Sequence, residues 1–220
     1  MSTPPVLLTR PLAQSEAFAA RLGMDCVISP LLEIVFTGRA PEAEALIATS
    51  ANGVAAWIAA GGATGLPVWC VGPGTARAAR EAGLRVVGMS RNATYLAEDM
   101  PDGQPPLTHV RGAHVATDLA GALRVRGMQV AEAVLYEAQA RPLSDAARTL
   151  ARAGPVVVPV FSPRSARLLG NEWPADALSN LRAVAISEAA AEGLPVSPAA
   201  IADRPDGEAM VSAVLGTIGG

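Results

Sequence analysis

Lysine is absent from this sequence, since all 17 basic residues are arginines. The absence excludes a Schiff base between a lysine of the chain and a carbonyl substrate or pyridoxal phosphate. It also excludes the phosphate-binding loop in which a lysine reaches the phosphates of a nucleotide.

Histidine and cysteine are nearly as scarce, with two residues of each type. His109, His114, Cys26 and Cys70 do not show the clustered spacing of a zinc or iron site, so we expect no metal ion. Neither histidine is linked by a motif to a serine nucleophile, and a Gly-x-Ser-x-Gly sequence does not occur. Metal-dependent chemistry and serine-hydrolase chemistry are both disfavoured.

Signals for export and for membrane insertion are also missing. The first residues pass directly into an apolar run at 6–8, without the segments of a signal peptide, so we expect a cytoplasmic protein. Residues 53–76 carry no charge, and a helix, a loop and a buried strand fit them better than a membrane span does. Glycine and proline would interrupt such a span at Gly61, Gly62, Gly65, Pro67 and Gly72. The net charge of -3 and the scattered arginines argue against a nucleic-acid partner.

Apolar residues make up half of the chain, which is enough for a sizeable core in one large domain or two smaller ones. Short apolar runs alternate with alanine-rich segments of helical spacing, and the first helix should start at Pro11 and end before Gly23. Continuous apolar runs are typical of strands buried on both faces of a parallel sheet. The predicted strands are 6–8, 26–28, 45–48, 68–71, 84–87, 107–110, 156–161 and 184–186.

Two further segments, 31–36 and 130–137, are extended and partly alternating, and we interpret them as strands that pair outside the sheets. The predicted fold class is α/β, with two similar doubly wound parallel-sheet lobes, flavodoxin-like or Rossmann-like, joined by a two-stranded β connector. One lobe comprises residues 1–30 plus 143–220, and the other is inserted at 40–129. The connector strands are 31–39 and 130–142.

An internal echo supports two similar lobes. The run 45–50 is followed by a strand end at 71–72, and the run 158–162 is followed by a strand end at 186–187. The echo favours a duplication, but all parallel α/β units look alike, and that alternative stays open.

Polar turns follow several of the predicted strands. In open parallel sheets ligands bind beyond the carboxyl ends of the strands, where helix N-termini offer unpaired N–H groups, so we expect these turns to face one cleft for an anionic ligand. The alternative for each Ser and Thr is that it only caps the following helix. The turns are Thr49-Ser50-Ala51-Asn52, Gly72-Pro73-Gly74-Thr75, Arg111-Gly112 and Ser162-Pro163-Arg164-Ser165.

The turn at Gly72 partly matches a dinucleotide-binding fingerprint. Arg77 stands where the third glycine of that fingerprint belongs, and no acidic residue occurs at the ribose position near Ser90. The sequence therefore disfavours nucleotide binding at this turn.

A set of motifs, in this order and across nearly the whole chain, resembles the uroporphyrinogen-III synthase family. The resemblance implies two α/β lobes joined by a two-stranded ladder. It also implies cyclisation of hydroxymethylbilane, a polycarboxylate linear tetrapyrrole, to uroporphyrinogen III, with loss of water and inversion of the terminal pyrrole ring, by a monomer without a cofactor. The motifs are Thr9-Arg10-Pro11, Ala48-Thr49-Ser50-Ala51-Asn52-Gly53-Val54, Val71-Gly72-Pro73-Gly74-Thr75-Ala76, Arg111-Gly112, Val134-Leu135-Tyr136 and Phe161-Ser162-Pro163.

The resemblance also implies roles for individual residues. Tyr136 matches the family's connector tyrosine, whose phenol can assist departure of the hydroxymethyl oxygen, although its ring can instead pack at the hinge. Thr75 matches a threonine that would hold a carboxylate, with a helix cap as the alternative. Selection of one folded conformer of the bilane makes positioning the main task. The expected substrate-binding residues are Arg10, Thr49, Ser50, Asn52, Gly72, Gly74, Thr75, Arg111, Gly112, Ser162, Arg164, Arg182 and Ser187.

Some of these assignments compete with plainer ones. Each of the four arginines in the set could be a clamp for a substrate carboxylate. The alternative is that it is a solvated surface charge or a partner of a helix end. Ala190 stands where many family members have threonine, so Ser187 is expected to take over its polar role, and the helix that follows is expected to be shortened or rearranged.

Two other functions remain open at this stage. A relative of the same fold could bind an anionic tetrapyrrole without converting it, and the altered turn at 187–191 motivates that alternative. A two-lobed transferase that uses a sugar nucleotide rests on architecture alone.

Overall fold

The structure, a computed structural model, describes residues 3–114 and 117–219. The chain forms two compact units. We call Met1–Glu33 with Gln139–Gly220 the split unit, because it is made of two chain segments, and Ile34–Ala138 the inserted unit. The limits based on the sequence, 1–30 plus 143–220 and 40–129, leave the connector segments out and differ from these by three to nine residues.

Strands and helices alternate along most of the chain. The strands are β1 Val6–Leu8, β2 Cys26–Ile28, β3 Leu32–Phe36, β4 Ala45–Ala48, β5 Pro67–Val71, β6 Arg85–Ser90, β7 Leu107–Gly112, β8 Val130–Ala140, β9 Val156–Val160, β10 Leu181–Ala185 and β11 Ala200–Ile201. The helices are α1 Leu12–Leu22, α2 Ala51–Ala59, α3 Pro73–Glu81, α4 Ala93–Asp99, α5 Leu119–Val125, α6 Asp145–Ala153, α7 Pro163–Glu172, α8 Glu188–Ala191 and α9 Gly207–Gly219, with a 3-10 helix at Ala175–Asn180.

The sheet of the split unit is parallel, with the strand order β11-β10-β9-β1-β2. This is the flavodoxin-like order, in which the chain changes direction across the sheet between β1 and β9. One face packs on α6 and α7 through residues such as Ala147 and Leu169. The other face packs on α1 and α9 through residues such as Phe18 and Met210. The central strand β9 is consequently buried along its whole length.

The sheet of the inserted unit has the order β3-β8-β7-β4-β5-β6, and the strands from β8 to β6 are parallel. Without β3 the order is Rossmann-like, with the change of direction between β4 and β7. Helices α2 and α3 cover one face around Trp57, while α4 and α5 cover the other around Leu96 and Leu123. The predicted fold class, α/β with parallel sheets flanked by helices, is confirmed.

Five strands of each sheet can be matched by their position in the sheet, although the chain connects them in a different order. Reading from β11 to β2 in one sheet matches reading from β6 to β8 in the other, so that β9 corresponds to β4 and β1 to β7. The runs that form the echo in the sequence, at β4 with β5 and at β9 with β10, are neighbouring parallel strands in both sheets.

Strands β3 and β8 do not pair outside the sheets, and that expectation is wrong. Strand β8 continues the inserted unit's sheet by parallel pairing with β7, from Leu107 opposite Val130 onward. Strand β3 follows β8 at the edge. The Thr37 N–H donates to the Leu135 carbonyl and the Arg141 N–H donates to the Leu31 carbonyl, so these two strands run in opposite directions. Strand β3 is nowhere fully buried, and its Glu33 and Phe36 are exposed, which fits the edge of a sheet.

Local signals in the sequence account for several boundaries. Helix α1 follows Pro11 and ends at Gly23, whose N–H donates to the Ala19 carbonyl, as predicted. The uncharged segment 53–76 forms most of α2, a loop and β5, as predicted, and also the start of α3. Among residues 3–114 and 117–219, no helix is both long and apolar enough to cross a membrane.

Arginines brace several strand and helix ends of the inserted unit, which gives the absence of lysine a structural meaning. Arg126 contacts the Ala97 and Met100 carbonyls at the end of α4, and the Arg124 Nε donates to the Val130 carbonyl. A planar fork of donors holds such carbonyls in fixed geometry better than an ammonium group does. Part of the positive charge in this unit is therefore engaged by its own backbone.

His109 is a polar residue in an otherwise apolar part of the inserted unit. It lies on β7, in register with Ile47 of β4 and Glu132 of β8, and is only 2% exposed. Neither ring nitrogen has a hydrogen-bond partner in the described part of the chain. Burial lowers the pKa of His109, helped by the charges of Arg111 and Arg124 and opposed by those of Glu132 and Asp118. The folded protein therefore takes up a proton at His109 less readily than the unfolded chain does.

This burial predicts a pH-dependent stability. As the pH falls towards and below about 6.5, the unfolded chain takes up a proton at His109 more readily than the folded protein does, so the folded state loses stability. His109→Leu should flatten the fall in the free energy of unfolding between about pH 7.5 and pH 5.5, measured by denaturant unfolding. His114→Gln, at the exposed second histidine, should leave the wild-type slope unchanged. A wild-type slope in His109→Leu would contradict the assignment.

Candidate functional site

The direction change of the inserted sheet brings three candidate residues together. Ser50 follows β4, Gly112 ends β7, and Tyr136 lies on β8, so they occupy the carboxyl-end edge of three neighbouring strands. The Ser50 and Tyr136 hydroxyl oxygens are 2.9 Å apart and share a hydrogen bond. Ligand sites of open α/β sheets form at this kind of edge.

Gly112 lets the Tyr136 ring cross the end of β7. A Cβ atom at Gly112 would lie 2.7 Å from Cε2 of the Tyr136 ring and 2.9 Å from Cζ, which no real side chain tolerates. The pairing of β7 with β8 also shifts here, because Arg111 is opposite Val134 while Gly112 is opposite Tyr136. This bulge changes the direction in which β8 presents its side chains, so that the phenol reaches Ser50.

Ser50 combines the two roles that the sequence left open. Its Oγ accepts a hydrogen bond from the Gly53 N–H at 3.2 Å and so caps α2, and the same hydroxyl contacts Tyr136. The N–H groups of Ala51 and Asn52, in the first turn of α2, have no carbonyl four residues earlier in the helix to donate to. Thr49 directly precedes the cap and Asn52 is the second helical residue. The cap thus sits beside amides that are suited to an anion.

The Gly72 turn lies one strand further along the sheet. Gly72 has φ 79°, which favours glycine, and its N–H donates to the Ser90 carbonyl at 2.8 Å. It is also the N-cap of α3, so Thr75 is not the cap and that alternative is wrong. Thr75 is 6% exposed in the first turn of α3, and Gly74 is exposed. The amides of Gly74 and Thr75 start a nine-residue helix whose dipole favours a carboxylate.

Arg111 sits at the same edge, but its side chain is already engaged. Nε donates to Glu132 at 2.6 Å, and Nη1 donates to the Gly112 carbonyl at 2.9 Å. Burial raises the pKa of Glu132, but hydrogen bonds and charge from Arg111 and Arg124 outweigh that effect and leave the pKa below its ordinary value. The Arg111-Gly112 turn also does not open a helix, since α5 begins at Leu119 with Asp118 as its cap. The expectation of helix N-terminal amides at this turn is wrong.

The split unit has its own group of candidates at its direction change, between β1 and β9. The Arg10 guanidinium lies over the ring of Phe161, 4.1 Å from its centroid, and burial lowers the pKa of Arg10. Ser162 caps α7 by accepting from the Ser165 N–H at 3.1 Å. Arg164 lies in the first turn of α7. Arg10 is thus held at the sheet edge by an aromatic ring, as sequence alone did not indicate.

The next turn of the split unit is poorer in polar groups. Ser187 caps α8 by accepting from the Ala190 N–H at 3.3 Å, and α8 is only four residues long, so the expected shortening is confirmed. Ala190 is fully buried. Arg182 is placed differently from the expectation, because it is the second residue of β10 and its Nη1 donates to the Ser179 carbonyl. It lies near the amino end of β10, whereas Ser187 follows the carboxyl end.

Neither a metal site nor a reactive thiol is evident in the described ranges. No group of three or more His, Cys, Asp or Glu residues there is arranged to hold a metal ion. Burial raises the pKa of the Cys70 thiol to about 11, with a smaller opposing effect of Arg80. Burial, together with Asp25, also raises the pKa of Cys26. Both thiols therefore stay protonated and are poor nucleophiles near neutral pH.

A comparison with models of known protein families shows the family to which the chain belongs. The family model described as uroporphyrinogen-III synthase HemD matches residues 14–212. The chain belongs to the uroporphyrinogen-III synthase family. The match includes every candidate residue except Arg10, which lies just before it.

Solved structures of two synthases have a similar fold. The uroporphyrinogen-III synthetase of Helicobacter pylori 26695 is 16% identical, with a TM-score of 0.70, over 97% of this chain and 99% of that one. A mutant uroporphyrinogen III synthase of the extremely thermophilic bacterium Thermus thermophilus is 18% identical, with a TM-score of 0.57, over 98% of this chain and 99% of that one. A search among curated proteins found no match. At these identities the likeness to the synthase structures concerns the fold.

The contact between Gly112 and Tyr136 generates a prediction that needs no substrate. Gly112→Ala should displace the Tyr136 ring and break its hydrogen bond with Ser50, because the added Cβ overlaps the ring. The chain has two tyrosines, so protein labelled with 3-fluorotyrosine gives two fluorine resonances, assigned with Tyr95→Phe. The Tyr136 resonance should move and the Tyr95 resonance should not.

Gly74→Ala is the matched control, because an added Cβ there would meet no atom within 4 Å. Its spectrum should equal that of the wild type. An unchanged Tyr136 resonance in Gly112→Ala would show that the ring does not rest on Gly112.

Proposed function

We propose that this chain is a uroporphyrinogen-III synthase that cyclises hydroxymethylbilane to uroporphyrinogen III, with loss of water and inversion of the terminal pyrrole ring. The observation that carries the proposal is the Ser50–Tyr136 hydrogen bond, which lies at the direction change of a parallel sheet beside unpaired helix amides. Membership of the family supports the same function.

The proposed role of Tyr136 is to assist departure of the hydroxymethyl oxygen. The Gly53 N–H donates to Ser50, whose hydroxyl can in turn donate to the Tyr136 oxygen, and the phenol proton is then directed at the leaving oxygen. Each hydrogen bond in such a chain polarises the next. The carbon–oxygen bond of the substrate breaks, and the hydroxyl leaves as water with the phenol proton. The methylene left on the first ring is attacked by the substituted carbon of the terminal pyrrole, which gives a spiro intermediate. The bond from that carbon to its original bridging methylene then breaks, this methylene bonds to the other α-carbon of the terminal pyrrole, and the proton lost there returns to the phenolate.

Substrate carboxylates are the proposed ligands of the turns. The amides at the starts of α2 and α3, with Thr75 at the latter, are suited to carboxylates because helix N-termini carry partial positive charge. In the split unit, Arg10, Ser162, Arg164 and Ser187 are the proposed contributors. This arrangement suits a chain of negative net charge, since amides bind carboxylates without adding cations. We also propose a cytoplasmic, monomeric lyase that needs no cofactor.

The activity is testable directly. Purified protein supplied with enzymatically generated hydroxymethylbilane should yield mainly uroporphyrinogen III, resolved from isomer I by chromatography. Isomer I forms without an enzyme, so a reaction without protein gives the background. Product that is purely isomer I would refute the proposed synthase activity.

Tyr136→Phe should lower kcat by on the order of tenfold or more, because the ring remains while the donor hydroxyl is lost. Tyr95→Phe is the matched control: Tyr95 lies in α4 under the Arg91 guanidinium, and its hydroxyl has no proposed role. Circular dichroism should show both variants folded. A Tyr136→Phe enzyme with wild-type kcat would reduce Tyr136 to a packing role.

A second candidate function is binding of an anionic tetrapyrrole without conversion. The four-residue helix α8 and the buried Ala190, in place of a threonine, favour this alternative. Binding of the product uroporphyrinogen III, seen by fluorescence quenching of the three tryptophans, without any formation of isomer III, would decide for it.

A further inference from the structure

Arg111 and Glu132 form an ion pair directly beside the contact between Tyr136 and Gly112. The side chains are 20% and 28% exposed, and Nε of Arg111 donates to Oε1 of Glu132 at 2.6 Å. Arg124 contacts the second carboxylate oxygen of Glu132 at 3.4 Å, while its own Nε donates to the Val130 carbonyl at 2.8 Å. Glu132 is thus held from two sides and holds Arg111 in place.

The other end of the Arg111 side chain grips the end of β7. Nη1 donates to the Gly112 carbonyl at 2.9 Å and approaches the Ala113 carbonyl at 3.4 Å. The Ala113 N–H in turn donates to the Tyr136 carbonyl at 2.9 Å. Since Gly112 also lies under the Tyr136 ring, Arg111 fixes both backbone segments on which Tyr136 depends.

The same contacts leave little of Arg111 for a substrate. A guanidinium binds a carboxylate in bidentate fashion either through Nε and Nη2 or through Nη1 and Nη2. Here Nε already donates to Glu132 and Nη1 already donates to the Gly112 carbonyl. Each of the two edges through which the guanidinium could bind a carboxylate therefore has one nitrogen engaged. A substrate carboxylate would also have to approach beside the charged Glu132, which is unfavourable.

We propose that Arg111 and Glu132 are positioning residues for Tyr136, and that Arg111 is not a clamp for a substrate carboxylate. The inference deepens the proposed synthase function and rests on it. In this assignment the ion pair holds the turn at Gly112 and Ala113 so that the bulged β8 presents the Tyr136 phenol to Ser50. Loss of the pair moves the catalytic hydroxyl and leaves the carboxylate-binding amides intact.

Three variants separate positioning from clamping in steady-state assays with hydroxymethylbilane. Glu132→Gln keeps the size of the side chain and removes its charge, whereas Arg111→Lys keeps the charge and removes the fork. Both should lower kcat by about five- to twentyfold, because a small misplacement of a reacting group is costly, and should leave KM within about twofold. Glu172→Gln is the matched control at the part-buried Arg148–Glu172 pair of the split unit, and both constants should stay at wild-type values.

A spectroscopic measurement tests the same assignment without turnover. In protein labelled with 3-fluorotyrosine, Glu132→Gln and Arg111→Lys should shift or broaden the Tyr136 resonance and leave that of Tyr95 unchanged. Because this readout needs no substrate, it separates failure of the positioning role from failure of the synthase function. If the wild type formed no isomer III, the resonances would still show whether the pair positions Tyr136.

Two results would overturn the proposal. One is an Arg111→Lys enzyme whose KM rises at least about fivefold while kcat stays unchanged, which is the behaviour of a lost ground-state contact. The other is a Glu132→Gln protein in which the Tyr136 resonance and kcat both match the wild type. The first result would make Arg111 a substrate clamp, and the second would make the ion pair irrelevant to Tyr136.

Discussion

Burial of both faces of each parallel sheet is the constraint on which the other features of this chain depend. Strands β1, β4 and β9 are apolar and buried at every position, so they cannot carry polar chemistry along their length. For these three strands polar groups are found only beyond the ends, where the helices that cover the two faces start. At two places in the sheets, neighbouring strands are followed by helices on opposite faces. These pairs of strands are β4 with β7 and β1 with β9, and helix amides and side chains converge beyond their ends. Ser50 and Tyr136 meet at the first of these points, and Arg10 and Phe161 at the second.

Local sequence patterns predict the fold well where burial is complete. Strands β1 and β4, which are buried at every position, begin and end at the predicted residues, and so does the half-buried β2. Prediction is less accurate where burial is partial: β6 is an edge strand with alternating exposure, and it runs from Arg85 to Ser90 instead of 84–87. Strand β10 begins at Leu181, before the predicted 184, because Arg182 interrupts its apolar run. Because the strand was predicted to begin only at 184, Arg182 seemed to precede it, and its place near the amino end of β10 could not be inferred from sequence.

The sequence predicts the turns that make up the candidate site, but it does not predict which of their side chains contact one another. Ser50 and Tyr136 are 86 positions apart, and no local pattern states that their hydroxyls meet. The bulge between Arg111 and Gly112, and the fit of a ring against a glycine, depend on pairing between strands. Glu132 was missed because it reads as one more polar residue of an alternating strand, and its register with the buried His109 is visible only once β7 and β8 are paired.

The inserted unit is one continuous chain segment, whereas the split unit is made of two segments, and this difference affects how the protein folds. In the inserted unit, β4, β5 and β6 are neighbours both in the sheet and along the chain, so its sheet can grow from local contacts. In the split unit, β1 must pair with β9, joining Val6 to Val157 across the whole inserted unit. Closing so long a loop costs entropy before any contact rewards it, and such pairings form late. Strand β1 can pair early with β2, because only α1 separates them, but its other edge waits for β9. The apolar residues at that edge stay open to chaperones and to misassembly during that interval.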